Sequence, residues 1–171
     1  QEDPHQLRNL ADSADHSRIL AAHAVDAAAF AVRNTDWGLI PEIEAWQRSE
    51  ELPLWRVAEK AKAQFDSATG GAVMAAASVG ASDGIVDDAE QLASEDASVR
   101  YWGTMRLTQR EAQSDASKRS LIEALDDLSA SVRIAAADAL ARHGEVERAL
   151  PTLIELVGDE DLTTVLYAAR A

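Results

Sequence analysis

The sequence predicts an all-α fold: a helical-hairpin solenoid of about three to four short repeats over 53–171, preceded by a tail helix and connector over 1–52. A phrase made of Leu, then Val-Arg seven residues on, then Leu seven residues after the Arg occurs at Leu92, Val99-Arg100 and Leu107. It returns at Leu125, Val132-Arg133 and Leu140, displaced by 33 residues throughout, and a blurred third copy starts at Leu156. Fixed-period self-similarity marks a stack in which each unit buries its apolar face only against its neighbours. Composition agrees, because alanine dominates while Gly (8) and Pro (4) are few, which favours helices.

The elements follow in order. Asp12, Ser13 and Asp15 are candidate caps for a first helix that runs to about Asn34. Its apolar stripe is Ile19, Leu20, Ala24, Ala27, Ala28, Ala31 and Val32, at spacings of three and four. Trp37 to Pro53 holds two of the four Pro and reads as an ordered connector with a short helix near Ile43 to Glu50, the expected domain junction. Leu54 to Phe65 predicts another helix, with Trp55, Val57, Ala58 and Ala61 buried, and Ala72 to Val79 a short one.

From Ile85 each repeat should be helix, tight turn, helix. In the first, Ile85, Val86, Ala89 and Leu92 line helix A and Asp96 caps helix B, whose buried positions are Val99, Trp102, Gly103, Arg106 and Leu107. In the second, Leu121, Ile122 and Leu125 line helix A, Ser129 caps, and Val132, Ala135, Ala136, Ala139 and Leu140 repeat the same offsets. His143-Gly144 closes that helix, since Gly accepts a left-handed cap at low cost. In the third, Leu150, Leu153, Ile154 and Val157 form helix A with Pro151 in its first turn, and Asp161 caps helix B with Tyr167, Ala168 and Ala171. The chain opens without Met and closes inside a repeat helix, so it is expected to be a piece of a larger protein with further repeats after Ala171.

A period near 33 also fits ankyrin and tetratricopeptide arrays, but neither the Thr-Pro-Leu-His phrase nor the spaced Trp-Leu-Gly-Tyr pattern is present. Asp96-Ala-Ser-Val-Arg-Tyr-Trp and Leu128-Ser-Ala-Ser-Val-Arg-Ile-Ala-Ala-Ala-Asp-Ala-Leu140 resemble the short bacterial form of the HEAT repeat. That resemblance implies that Arg100 and Arg133 are structural ladder residues, each bonding to an acidic or carbonyl group in a neighbouring turn. Val165 breaks the ladder at the third equivalent position.

The opening Glu2-Asp3-Pro4-His5-Gln6-Leu7-Arg8-Asn9-Leu10-Ala11 resembles the end of the catalytic region in type I sulfatases, where Asp-Pro, a short spacer and Asn-Leu-Ala lead into a C-terminal helix. Asp36-Trp37-Gly38-Leu39-Ile40-Pro41-Glu42 is similar to the segment after that helix in bacterial sulfatases, some of which carry HEAT repeats behind it. The resemblance implies a non-catalytic C-terminal piece of a sulfuric ester hydrolase that packs on its own upstream catalytic domain and presents a surface to other proteins. It also implies a periplasmic or secreted location. The parent's formylglycine motif, Cys/Ser-x-Pro/Ala-x-Arg, is absent here, so its calcium or magnesium site would lie upstream of Gln1 and no catalytic, cofactor or metal residue is assigned in this chain. A free-standing HEAT-repeat adaptor is the alternative.

The charge narrows the partners. Thirty Asp and Glu against 16 Lys and Arg give −14, with no basic residue from Ala63 to Val99, which opposes nucleic acid and anionic membranes. No cysteine is present, excluding disulfides and thiolate chemistry, and no apolar run reaches membrane-spanning length. His16 and His23 are seven apart, too wide for direct paired ligation. Thr69-Gly70-Gly71 lacks the Gly-Lys-Ser/Thr ending of a phosphate loop, and Asp83, Asp87 and Asp88 do not match a calcium loop. Trp37, Trp46 and Trp55, nine apart at each step, are the candidate partner surface.

Overall fold

A computed structural model describes residues 10, 13–34, 37–49, 53, 56, 70, 88–109 and 114–171. Among them are eight α-helices and no strand. After a 3₁₀ turn at Ala14–His16 come α1 (Ser17–Arg33), a second 3₁₀ turn at Trp37–Leu39, and α2 (Glu42–Ser49). The repeats then supply α3 (Asp88–Leu92), α4 (Ala97–Thr108), α5 (Asp115–Ala124), α6 (Ala130–Arg142), α7 (Val146–Val157) and α8 (Leu162–Arg170). The pairs α3/α4, α5/α6 and α7/α8 are packed hairpins, and α6 sits against α4, α5 and α7. This is the helical solenoid that the periodicity predicts. The expected helices over 54–65 and 72–79, Ile85 and Val86, Trp55, and the Asp-Pro segment before Leu10 lie outside the described residues.

Each second helix begins on the same built turn. Asp96 accepts from the Ser98 N–H at 2.7 Å, Ser129 from Val132 at 3.4 Å, and Asp161 from Thr163 and Thr164 at 3.2 and 2.9 Å. These caps satisfy N–H groups that have no partner inside the helix. Two residues before each cap stands a second polar side chain, Ser94, Asp127 or Asp159, which accepts the cap residue's own N–H at 3.2, 2.8 and 2.8 Å. The far end of α6 is equally specified. Gly144 takes a φ of 85°, and the N–H groups of Gly144 and Glu145 return to the carbonyls of Ala141 and Leu140 at 3.1 and 2.9 Å. That is a Schellman closure.

The core lies between the hairpins. Leu107, Leu121, Leu125 and Leu140 pack with Ala136, Ala137, Ala139 and Ala149 in one cluster, and Ile43, Ile134, Leu156 and Ala168 form a second. Burying each leucine contributes about 1.5–3 kcal/mol. In the first repeat the place of Ala136 is taken by Gly103, where a Cβ would stand 2.9 Å from Gln91 Cβ. Gly103→Ala is therefore expected to lower stability by roughly 1 kcal/mol, because overpacking at about 1–3 kcal/mol outweighs a helix-propensity gain of about 1. Thermal denaturation followed by circular dichroism measures it, and a raised melting temperature would contradict the close approach of α3 and α4.

Two expected registers are corrected. Pro151 is the sixth residue of α7 rather than in its first turn, and α7 buries Ala149 and Leu156 while Leu150, Ile154 and Val157 are exposed. The helix starts at Val146 because the Schellman turn ends α6 at once, and the side it buries is the one that carries the small Ala149. Leu162 and Leu166 of α8 are exposed beside it. In α1, Ala31 is buried but Ile19, Leu20 and Ala27 are exposed, as are Val25 and Phe30. Ser13 makes no side-chain cap bond there; its hydroxyl meets His16 Nδ1 at 3.0 Å instead.

Candidate functional site

The site is the face made by α4, α6 and α8, and its occupant is the segment from Gly38 to Ser49. Pro41 fixes the backbone just before α2, and its carbonyl accepts the first helical bond, from Ala45 N–H at 2.9 Å. Glu42 and Glu44 follow in the first turn, where the helix end favours negative charge. An eight-residue helix is marginal alone. The repeats hold this one in place.

Every second helix contributes. The Trp102 indole of α4 donates to the Leu39 carbonyl at 2.6 Å. Arg48 Nη2 reaches back to Asp96 Oδ1 at 2.8 Å and Ser98 Oγ at 2.9 Å, both at the start of α4. At the start of α6, Ser129 and Ser131 both donate to Glu44 Oε1, at 2.5 and 2.8 Å. This carboxylate is almost fully buried, so it is held by hydroxyls and the positive end of a helix. Tyr167 of α8 donates to Glu42 Oε2 at 2.7 Å, and the other Glu42 oxygen accepts from the Trp46 indole at 3.3 Å. The Glu42 bond, with burial, holds the Tyr167 phenol protonated above its ordinary range. Ile43 fits between Ile134 and Ala168.

Beside α2 a cavity of about 510 Å³ remains open, lined in part by Tyr101, Trp102, Met105, Asp138, Arg142 and Arg170. Its walls come from the positions two, three and six after each Val of the repeated phrase: Tyr101, Trp102 and Met105, then Ile134, Ala135 and Asp138. Tyr101 and Trp102 meet edge to face, 5.3 Å between ring centroids. Burial first, and the nearby Asp138 carboxylate second, push the Tyr101 phenol up. The wall therefore offers aromatic surface and cationic ends, with no ionised phenol.

The arginines of the Val-Arg phrase stand differently. Arg100 grips Asp127 with a two-pronged pair, Nε to Oδ2 and Nη2 to Oδ1, each 2.8 Å, and its Nη1 donates to the carbonyls of Ser94 and Glu95 at 2.9 and 3.0 Å. This ties the turn of the first repeat to that of the second. The bond from Asp127 raises the Arg100 guanidinium above its usual range. Burial pulls the Asp127 carboxyl up, but the Arg100 guanidinium and the Ser129 N–H pull it further down, leaving it below the ordinary carboxylate range. Arg133 donates to the Leu125 carbonyl at 3.1 Å and pairs with Glu155 at 2.9 Å. Glu155 is 68% exposed. Of the tryptophans, Trp46 is exposed, Trp37 heads the second 3₁₀ turn, and Trp55 lies outside the described residues.

A family model described as HEAT repeats matches residues 86–171. The chain belongs to the HEAT-repeat family. No curated protein and no solved structure matches it. The matched span takes in all three described hairpins, so the faces of α4, α6 and α8 are the second-helix faces of consecutive HEAT repeats, and such repeats commonly form protein-interaction scaffolds. Among the described residues no cluster of three or more His, Asp or Glu side chains is placed to hold a metal ion. No described helix is long and apolar enough to cross a membrane. Sequence reasoning did not mark Glu44, Ser129 and Ser131 as a meeting point. The only local signal was Pro41 followed by two acids in a first turn.

Proposed function

We propose that this chain is a non-catalytic protein-binding scaffold whose docking surface is the α4/α6/α8 face. One observation carries the reading: that face already holds a length of polypeptide, through hydrogen bonds from all three helices, and leaves about 510 Å³ of adjoining space. A photo-crosslinking residue placed at Met105, in the wall of that space, is expected to yield a discrete protein adduct in the native host. The same residue at Leu128, a fully exposed position in the turn before α6, should yield none. Equal yields, or no adduct from Met105, would reject the surface.

The finer reading is that the scaffold forms the C-terminal part of a sulfatase-like hydrolase, packed against its catalytic domain, with the solenoid continuing past Ala171. Supporting it are the two phrases at 2–11 and 36–42 and an α1 whose Ile19, Leu20, Val25 and Phe30 stand exposed. The open apolar side of α7 and α8, with Ile154, Val157, Leu162 and Leu166, supports further repeats. The parent's divalent cation and formylglycine belong to residues outside this chain. Trp37, Trp46 and Trp55 are proposed as an auxiliary partner surface, and the free-standing adaptor remains the competing form. The coding sequence upstream of Gln1 decides between them. A Cys/Ser-x-Pro/Ala-x-Arg motif with acidic metal ligands is expected, and its absence would remove the sulfatase reading while leaving the scaffold intact.

A further inference from the structure

We infer that the α4/α6/α8 face is a receptor for a short partner helix with a Pro-Glu-Ile-Glu start, and that residues 38–49 are its internal competitor. The inference rests on the docking surface proposed above and names what that surface recognises. The specification is read from the occupant. A main-chain carbonyl must face the Trp102 indole, one acid must meet Tyr167, and a branched apolar side chain must enter between Ile134 and Ala168. A second acid, two residues after the first, must sit between the Ser129 and Ser131 hydroxyls. The alternation matters, because acid, isoleucine and acid in one helical turn present one carboxyl group to the Tyr167 hydroxyl and the other to the start of α6, with the apolar group in the cluster of Ile134 and Ala168.

Two features make the internal segment displaceable. Its hold combines these hydrogen bonds with the burial of Ile40, Ile43 and Ala45, so a rival that reproduces both the polar groups and the apolar side chains loses little by exchange. Its cover is also incomplete: Trp46 is exposed while the wall of Tyr101, Trp102 and Met105 still borders open space. A partner helix carrying one more large apolar side chain toward that wall fills volume that α2 leaves empty, and gains over the internal segment by that burial. Tethering raises the effective concentration of the internal segment, so a free peptide competes only when the tethered copy is weakened.

The test uses the full chain and a fluorescent synthetic peptide with the sequence of residues 37–49. Glu44→Ala removes the acid from the internal copy while leaving Ser129 and Ser131 intact. Peptide affinity is expected to rise at least tenfold over the unmodified chain, and adding Ser131→Asp should abolish it by placing a carboxylate against the peptide's own. Ile43→Ser is the second variant, and circular dichroism melting confirms that each retains the folded repeats. In both variants the Trp102 indole N–H resonance should lose its hydrogen-bonded shift. Folded variants with an unchanged Trp102 signal, or with no gain in peptide affinity, would overturn the inference. If Met105 crosslinks to a partner but the peptide neither gains affinity nor competes for that crosslink, the docking surface stands and the helix specification falls. If Met105 gives no adduct either, both fall.

Discussion

Leu140→Ala is expected to lower the unfolding free energy by about 3–4 kcal/mol, near the middle of the range for a fully buried leucine. Leu140 is completely inaccessible and packs in the central cluster with Leu107, Leu121 and Leu125. The other buried members of that cluster are alanines, which have no side-chain torsion with which to fill the void, while Leu92, Ile122 and Leu153 pack against it only partly buried. The part of the void that these side chains leave unfilled adds its lost contacts to the lost transfer energy. For a chain of this size such a loss lowers the melting temperature by about 10 °C. Because α6 packs on α4, α5 and α7, the transition should stay single and shift as a whole. Urea and thermal denaturation measure it, and a loss below about 1 kcal/mol would mean that the site collapses or that the leucine is not central.

Arg100→Ala should cost about 3 kcal/mol at neutral pH and Arg133→Ala about 1, a difference set by geometry rather than residue type. The first substitution strands Asp127, a carboxylate with little exposure, and frees two carbonyls; the second breaks one carbonyl bond and one pair with an exposed acid. The pH dependence separates the pair from general damage. Since folding lowers the pKa of Asp127, the stability from ionising it is present above the ordinary carboxylate range and disappears as pH falls through its lowered value. The gap between the parent and Arg100→Ala should therefore be full at pH 7 and shrink toward pH 2. Arg100→Lys should recover only part of it, because a lysine cannot form the fork. A gap independent of pH would reject the Asp127 assignment.

What the sequence displayed was the part of the fold that repeats locally. The stripe from Val132 to Leu140 falls on one side of a helix by its period alone, and the capping residues Asp96, Ser129 and Asp161 announce themselves by their distance from that stripe. The register of α7 was not legible, because apolar residues occupy more than one side of it and Pro151 gave a false start. The side that is buried is fixed by Ala149, small enough for close approach. The candidate site was hidden for a different reason. Glu44 meets Ser129 and Ser131 across 85 and 87 residues, and Trp102 meets Leu39 across 63. Contacts at such separations leave no periodic trace, and a buried acid reads in sequence like any solvated one. Likewise the Val-Arg phrase located two arginines but said nothing of how unequal their acceptors would be.

The buried alanines of α6 have a consequence for the spacing of the proposed docking face. Ala135, Ala136, Ala137 and Ala139 set the separation between this helix and its neighbours with side chains that have no rotamers, so the interval cannot stretch or contract by repacking and costs no side-chain entropy to maintain. The hydrogen-bonding points of the second helices are thereby graduated like marks on a ruler. A ligand is gauged by whether its own groups fall at those marks, and any mutation that enlarges one alanine would move the scale as well as weaken the fold.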